Sequence, residues 1–215
     1  MTDARVSALN LTAIAGGVVV VQDSQTLNRL QRADALTMIS PAERTRHRLL
    51  SAGRADEFLA GRLLLRSLAA DLLGISPSEV PILARCPDCS APHGRTVIEG
   101  SDLHVSLSHT PLGRVGAAMF GAAIGVDAEP IRGHPSRLAA IRHVANVESL
   151  RDWTRIEAVL KADGRGLRID PRDVEMQETS SGVVASVPDS PTRYQLVTPT
   201  AMAGLVVSVA HAGPI

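Results

Sequence analysis

The chain has 215 residues, 45% of them hydrophobic, enough for one large soluble domain or two small ones with a full core. Its 22 Lys and Arg balance 22 Asp and Glu, so no overall field draws it to nucleic acid or an anionic membrane, and any affinity for anions must come from local clustering. Aromatic residues make up only 2%, which excludes the stacking platforms used on single-stranded nucleic acid.

The apolar run from Leu9 to Val21 is interrupted by Asn10 and Thr12 and is too short to span a bilayer. Asp3 sits where a signal peptide would be basic, and Val18 to Val21 is a β-branched stretch suited to a strand, so a cytoplasmic protein is expected. A strand is predicted from Gly17 to Gln22. Ser40-Pro41 then reads as an N-cap with proline at the first helical position, opening a helix that carries Arg44, Arg46, His47 and Arg48. A longer helix runs from about Ala55 to Leu73 and stops at Gly74; Phe58, Leu65, Leu68 and Leu72 form its apolar stripe, with Arg62 and Arg66 on the opposite face.

Strands are predicted near Val80 to Ala84 and Thr96 to Ile98. Between them, Cys86-x2-Cys89 followed by His93 has the local spacing of a zinc knuckle but supplies three ligands where a closed site wants four; zinc, a reduced loop and a redox pair all stay open. Strands at His104 to Ser108 and Val115 to Phe120, joined by a Pro/Gly turn, lead through Gly121 to a strand ending in Asp127 and Glu129. A helical stretch from about Arg137 to Ala162, anchored by Trp153, ends at Gly164 and Gly166, and later strands lie near Val183 to Val187, Arg193 to Thr198 and Gly204 to Ala210. The outline is α+β: two similar halves, residues 1–115 and 116–215, each a helix with about three strands, joined near residues 110 to 122 with a site between them.

In an extended strand Asp127 and Glu129 project to the same side, past the small Ala128. Glu157 and Lys161, four apart on a helix, share one face. Either pair alone is the signature of ordinary solvated charge. Three carboxylates and an ammonium converging on one point would suit Mg²⁺ and a phosphate ester, since that ion takes oxygen ligands and is completed by substrate phosphates. His109, between the hydroxyls of Ser108 and Thr110 at a strand end, can hold a phosphate oxygen. Arg54 and Arg62 lie two turns apart on the long helix, and Gly94-Arg95 is a loop that a ligand can approach closely.

The order of these pieces is more specific than any one of them. Phe58-Leu59-Ala60-Gly61-Arg62, then Cys86-x2-Cys89-x3-His93-Gly94-Arg95, Ser106-Leu107-Ser108-His109-Thr110, Gly125-Val126-Asp127-Ala128-Glu129 and Trp153-Thr154-Arg155-Ile156-Glu157-x3-Lys161 together resemble the 4′-phosphopantetheinyl transferases, in the long single-chain form common in actinobacteria. The resemblance implies a pseudodimer of two α/β halves, each a small, mainly antiparallel sheet packed against a long helix. It further implies a monomer that would transfer phosphopantetheine from coenzyme A to a serine of an acyl or peptidyl carrier protein. By the same resemblance Asp127, Glu129 and Glu157 would hold Mg²⁺, or Mn²⁺ in its place, and Ser108 and His109 the 3′-phosphate. Arg46, Arg54, Arg62 and Arg95 would meet the phosphates of coenzyme A, Lys161 its pyrophosphate, and Glu157 would take the serine proton, making Glu157, Lys161 and Asp127 the catalytic set.

The chain departs from that pattern in three places. Ile156 stands where the family has Lys, so either Arg155 compensates or a phosphate contact is missing. Thr96 stands where proline follows the Gly-Arg pair, and the segment from Glu129 to Trp153 is short. Two other functions share the same residues: a homologue that binds coenzyme A or a carrier protein without turnover, and a metal-dependent phosphohydrolase cutting a nucleotide pyrophosphate.

Overall fold

A computed structural model describes residues 11–14, 16–23, 27–84, 86, 89, 91, 94–132, 135–199 and 204–213. The chain is mixed α+β, with two antiparallel sheets. Strands β1 (Leu11–Ile14) and β2 (Gly17–Asp23) precede helices α1 (Arg29–Met38), α2 (Pro41–Arg48) and α3 (Ala52–Leu73), and β3 (Ile82–Ala84), β4 (Thr96–Ile98), β5 (Leu103–Thr110) and β6 (Gly113–Phe120) complete a sheet ordered β1-β2-β6-β5-β4-β3. The second sheet starts at β7 (Ile124–Pro130). After α4 (Pro135–Ala145) and α5 (Leu150–Asp163) it adds β8 (Glu175–Thr179), β9 (Gly182–Ser186), β10 (Tyr194–Val197) and β11 (Leu205–Ala212), in the order β7-β11-β10-β9-β8. The change of sheet falls at residues 121–123.

Alternation along the strands builds four layers. Val115, Ala117 and Met119 of β6 meet Val126 and Ala128 of β7 and Val207 and Val209 of β11 in a core between the sheets. The other face of the first sheet, with Val20, Val105 and Ala118, packs on Leu64, Leu65 and Leu68 of α3. The other face of the second, with Ala185, Tyr194 and Ala210, packs on Val159, Leu160 and Ala162 of α5. Each fully buried Leu or Val in these layers contributes about 1.5–3 kcal/mol.

α3 is buried almost all round. Leu59, Ala60 and Leu63 pack against Ala35 of α1 and Ile39, its C-cap; the polar composition of residues 28–38 did not suggest this helix. Arg62 and Arg66, predicted opposite the apolar stripe, are buried too, with 7% and 2% exposure. The reason is Glu43 on α2, which takes Arg66 Nη2 at 2.7 Å and Arg62 Nε at 3.0 Å, the latter an ion pair without hydrogen-bond alignment. Arg66 also donates to the Val80 carbonyl. The long helix expected up to Ala162 is two helices. Asn146 takes a left-handed φ of 50°, and Ser149 caps α5 by accepting from the Asp152 amide at 3.2 Å.

Two devices fix the second sheet relative to α5 and to the first sheet. A side chain at Gly125 would overlap the backbone of Ala158 and Ala162, so its absence lets α5 lie directly on β7. At the seam, serine hydroxyls on β5 stand in for a strand ladder: Ser106 Oγ accepts from the Val126 amide at 3.0 Å and Ser108 Oγ from the Ala128 amide at 3.2 Å.

Replacing Gly125 with Val should force α5 off β7 and cost about 3 kcal/mol of unfolding free energy in a urea titration. A midpoint equal to that of the wild type would contradict this packing.

Candidate functional site

A cleft of about 1140 Å³ opens where α2 and α3, the β4–β5 side of the first sheet and the C-terminal end of α5 meet. Arg46, Arg62, Arg95, His109, Lys161, Arg165 and Arg168 line it, and among the described residues no Asp or Glu does. In a chain of zero net charge this is the local clustering that attracts anions. Apolar walls accompany the charge: Phe58, Val97, Val105 and Leu107 on one side, and Leu160 with the 79%-exposed Leu167 on the other.

On the α3 side, two guanidinium groups approach the Phe58 ring, Arg46 at 5.3 Å and Arg62 at 5.1 Å from its centre. Arg62 also donates to Thr96 Oγ1 at 3.0 Å, so the threonine in place of a proline serves as an anchor for a cleft cation. Burial lowers the Arg62 pKa, with the carboxylate of Glu43 opposing and Arg46 and Arg66 adding to the fall. Arg95 crosses to the other half and packs over Gly164, the left-handed cap of α5, where a side chain would sit 3.0 Å from Arg95 Nη1. Arg95 Nη2 lies 3.4 Å from His104 Nδ1.

His109 is exposed to the cleft at its edge while the rest of the ring is packed against α3. Gly61 makes the room, since a side chain there would lie 2.8 Å from His109 Nε2. Burial lowers the His109 pKa, and the charges of Arg114 and Lys161 push the same way, against the nearby Glu57.

Lys161 links the cleft to the acidic strand. Its Nζ donates to the Val126 carbonyl at 3.0 Å and to Asp127 Oδ1 at 2.6 Å. Asp127 also accepts from Ser108 Oγ at 2.9 Å. Ser108 is therefore buried behind the wall, its hydroxyl spent on Asp127 and the Ala128 amide rather than turned to the cleft. Asp127 and Glu129 lie on the α5-facing side of β7, opposite Val126 and Ala128, which enter the core between the sheets. Glu157, half-buried, stands one turn before Lys161 on α5. Among the described residues no three His, Cys, Asp or Glu side chains are gathered to hold a metal ion. The ammonium of Lys161 holds Asp127 instead.

Of the other sequence candidates, Arg54 is exposed on the first turn of α3, outside the cleft wall. Ile156 and Arg155 line a separate hollow of about 620 Å³ beside α4 and β9, so Arg155 does not substitute for a cleft cation, and Ile156 belongs to the second core. Cys86 is buried in the cleft wall and Cys89 is exposed, with no disulfide between them; His93 lies outside the described residues.

Arg165 and Arg168 escaped the sequence reading, although Gly164 and Gly166 marked their loop. Asp163 fixes that loop through Arg165 Nε at 2.7 Å and the Tyr194 hydroxyl at 3.1 Å. Burial disfavours the Asp163 carboxylate, but the hydrogen bonds from Arg165 and Tyr194 outweigh it and hold its pKa down. Burial and Asp163 push the Tyr194 phenol up to about 12.

A lowered pKa leaves His109 neutral at pH 7.5, and it gains charge only on acidification. Because a bound anion favours the charged ring, affinity for sulfate, a dianion over this range, should rise roughly tenfold from pH 8 to pH 5.5. His104, also lowered by burial and by Arg95, contributes to the trend, so the comparison is with His109→Gln, which should lose most of the rise. Calorimetric titration of sulfate checks this; an equal rise in the variant would assign the effect elsewhere.

No protein-family model matches this chain, and no curated protein matches it in sequence.

Proposed function

We propose that this chain is a Mg²⁺-dependent 4′-phosphopantetheinyl transferase. It would move phosphopantetheine from coenzyme A to a serine hydroxyl of an acyl or peptidyl carrier protein and release adenosine 3′,5′-bisphosphate. On this reading the two sheets, each with its long helix on the outer face, form a pseudodimer that works as a cytoplasmic monomer. The observation that carries it is the meeting of Arg62, Arg95, His109 and Lys161, drawn from four separated motifs, in one cleft whose described lining holds no acid, with Lys161 reaching from that cleft to Asp127.

Each residue has a task in that reaction. Asp127, held by Ser108, fixes Lys161 Nζ in one place, so the ammonium meets the pyrophosphate without first ordering a flexible stem. Arg62, clamped by Glu43 and Thr96, and Arg95, seated on Gly164, present fixed guanidinium groups to the phosphates. His109 takes the 3′-phosphate at the rim. Glu157 accepts the proton of the attacking serine, and the new bond to the β-phosphorus forms as the bond to the departing bisphosphate oxygen breaks.

Asp127, Glu129 and Glu157 are the residues that would hold Mg²⁺ (or Mn²⁺), and they fit it in kind: three hard oxygen donors, two on the α5-facing side of β7 and one on α5 itself. When bound, that ion supplies neutralisation of the charge developing on the phosphates.

A coenzyme A-binding module without turnover is the second reading. The ion pair of Lys161 with Asp127 favours it, since that pair competes with any cation for the same carboxylate.

With coenzyme A and Mg²⁺, intact mass should show a gain of about 340 Da, the mass of the transferred group, on at least one carrier protein from a fatty-acid, polyketide and peptidyl panel. Glu157→Gln should lose the gain while keeping coenzyme A binding and an unchanged circular dichroism spectrum. Binding without transfer across the panel would establish the second reading. Release of adenosine bisphosphate without a carrier would make the chain a hydrolase.

A further inference from the structure

Asp152 and Arg155 lie away from the cleft, on the first two turns of α5, and both line the hollow of about 620 Å³ that α4 and α5 form with β8 and β9. Three residues apart on a helix, they share one face and have the spacing of an ion pair. That pair is not made. Asp152 Oδ2 is taken instead by Ser149 Oγ at 2.6 Å, as part of the cap that starts α5, and Arg155 Nε is sealed from solvent with no hydrogen-bond partner. Among the described residues no other acid pairs with Arg155 either, although Glu148 and Glu178 line the same hollow. A guanidinium donor that has lost water without gaining an acceptor is costly, and a ligand that brings the acceptor recovers that cost.

The rest of the lining sets the character of such a ligand. Val147, Ile156 and Val174 are buried and make an apolar floor, extended by the half-buried Met176; Ile156, the residue that departs from its motif, thus has a place here. Above that floor the charges are mixed. Arg172 is already held, its Nε donating to the Val144 carbonyl at 3.1 Å, and two arginines stand among three acids. A simple anion meets an excess of negative charge in this hollow, and a simple cation leaves Arg155 uncompensated. A compact ligand that carries both charges on one carbon, together with an apolar side chain, completes the unmade pair and covers the floor.

We propose that the hollow binds a free α-amino acid with an apolar side chain. Its carboxylate accepts from Arg155, its ammonium donates to Asp152, and its side chain lies on the floor around Ile156. The site is separate from the cleft and does not depend on the reaction assigned there.

Calorimetric titration of the full chain with L-leucine, L-valine and L-methionine, at about pH 7.5, tests it. At least one of the three should bind. Its N-acetyl derivative, which lacks the ammonium, and its amide, which lacks the carboxylate, should each bind about tenfold or more weakly. Arg155→Gln and Asp152→Asn should each weaken the amino acid about tenfold or more, with an unchanged circular dichroism spectrum. Because the two derivatives are compared on the wild-type chain, the proposal can fail whether or not a variant folds. Absence of saturable binding by all three amino acids up to about 10 mM overturns it. So does an N-acetyl derivative that binds as tightly as the amino acid, which would make the hollow a site for simple carboxylates, or an amide that does, which would leave Arg155 without a part. A folded Arg155→Gln protein with wild-type affinity overturns it as well.

Discussion

The close approach of α5 to β7 over Gly125 is the constraint on which the site depends. Strand and helix meet backbone to backbone there, which brings Lys161 within reach of the Val126 carbonyl and Asp127. The same contact sets where α5 ends, and so where the loop carrying Arg165 and Arg168 faces the first sheet. A helix held even one side-chain layer farther out would leave Lys161 in solvent and Asp127 buried with only Ser108 to satisfy it, an expensive arrangement for a carboxylate.

The seam between the sheets performs a second task through the same atoms. Ser106 and Ser108 satisfy β7 amides that an ordinary neighbouring strand would have taken, and Ser108 donates its own hydroxyl hydrogen bond to Asp127. Structural bonding and charge placement are thereby coupled: the hydroxyl that closes the seam also orients the carboxylate that orients the lysine. Chains of this kind strengthen one another in a poorly solvated interior and hold their members in single geometries.

Sequence legibility followed how local the determinants were. α3, β4, β5, β6 and β7 could be read because period, caps and turns act within a few residues: Gly74 ends α3, and a Pro/Gly turn joins β5 to β6. α1 could not be read, because its burial comes from Leu59 and Leu63 of α3, far along the chain. The break between α4 and α5 depends on the left-handed Asn146, a conformation that asparagine tolerates without requiring. The motifs picked out Arg46, Arg62, Arg95, His109 and Lys161 of the cleft wall, but spacing cannot say which way a hydroxyl points. Ser108 alternates to the seam while His109 faces α3, and Ile156, beside Glu157 in sequence, turns into the second core.

Glu43 draws several of these threads together. Its carboxylate closes the capping box of α2 by accepting the Ser40 amide at 2.9 Å, and it balances both Arg62 and Arg66. One anion thus serves a helix start, a buried structural cation and a cation of the cleft. Removing one partner of such a buried cluster costs far more than the pairing contributes, because the charges left behind have no water to turn to. Placement of a cleft cation and integrity of the N-terminal helices are therefore inherited as one unit: drift at position 43 cannot retune the cleft without also unsettling the scaffold that carries it.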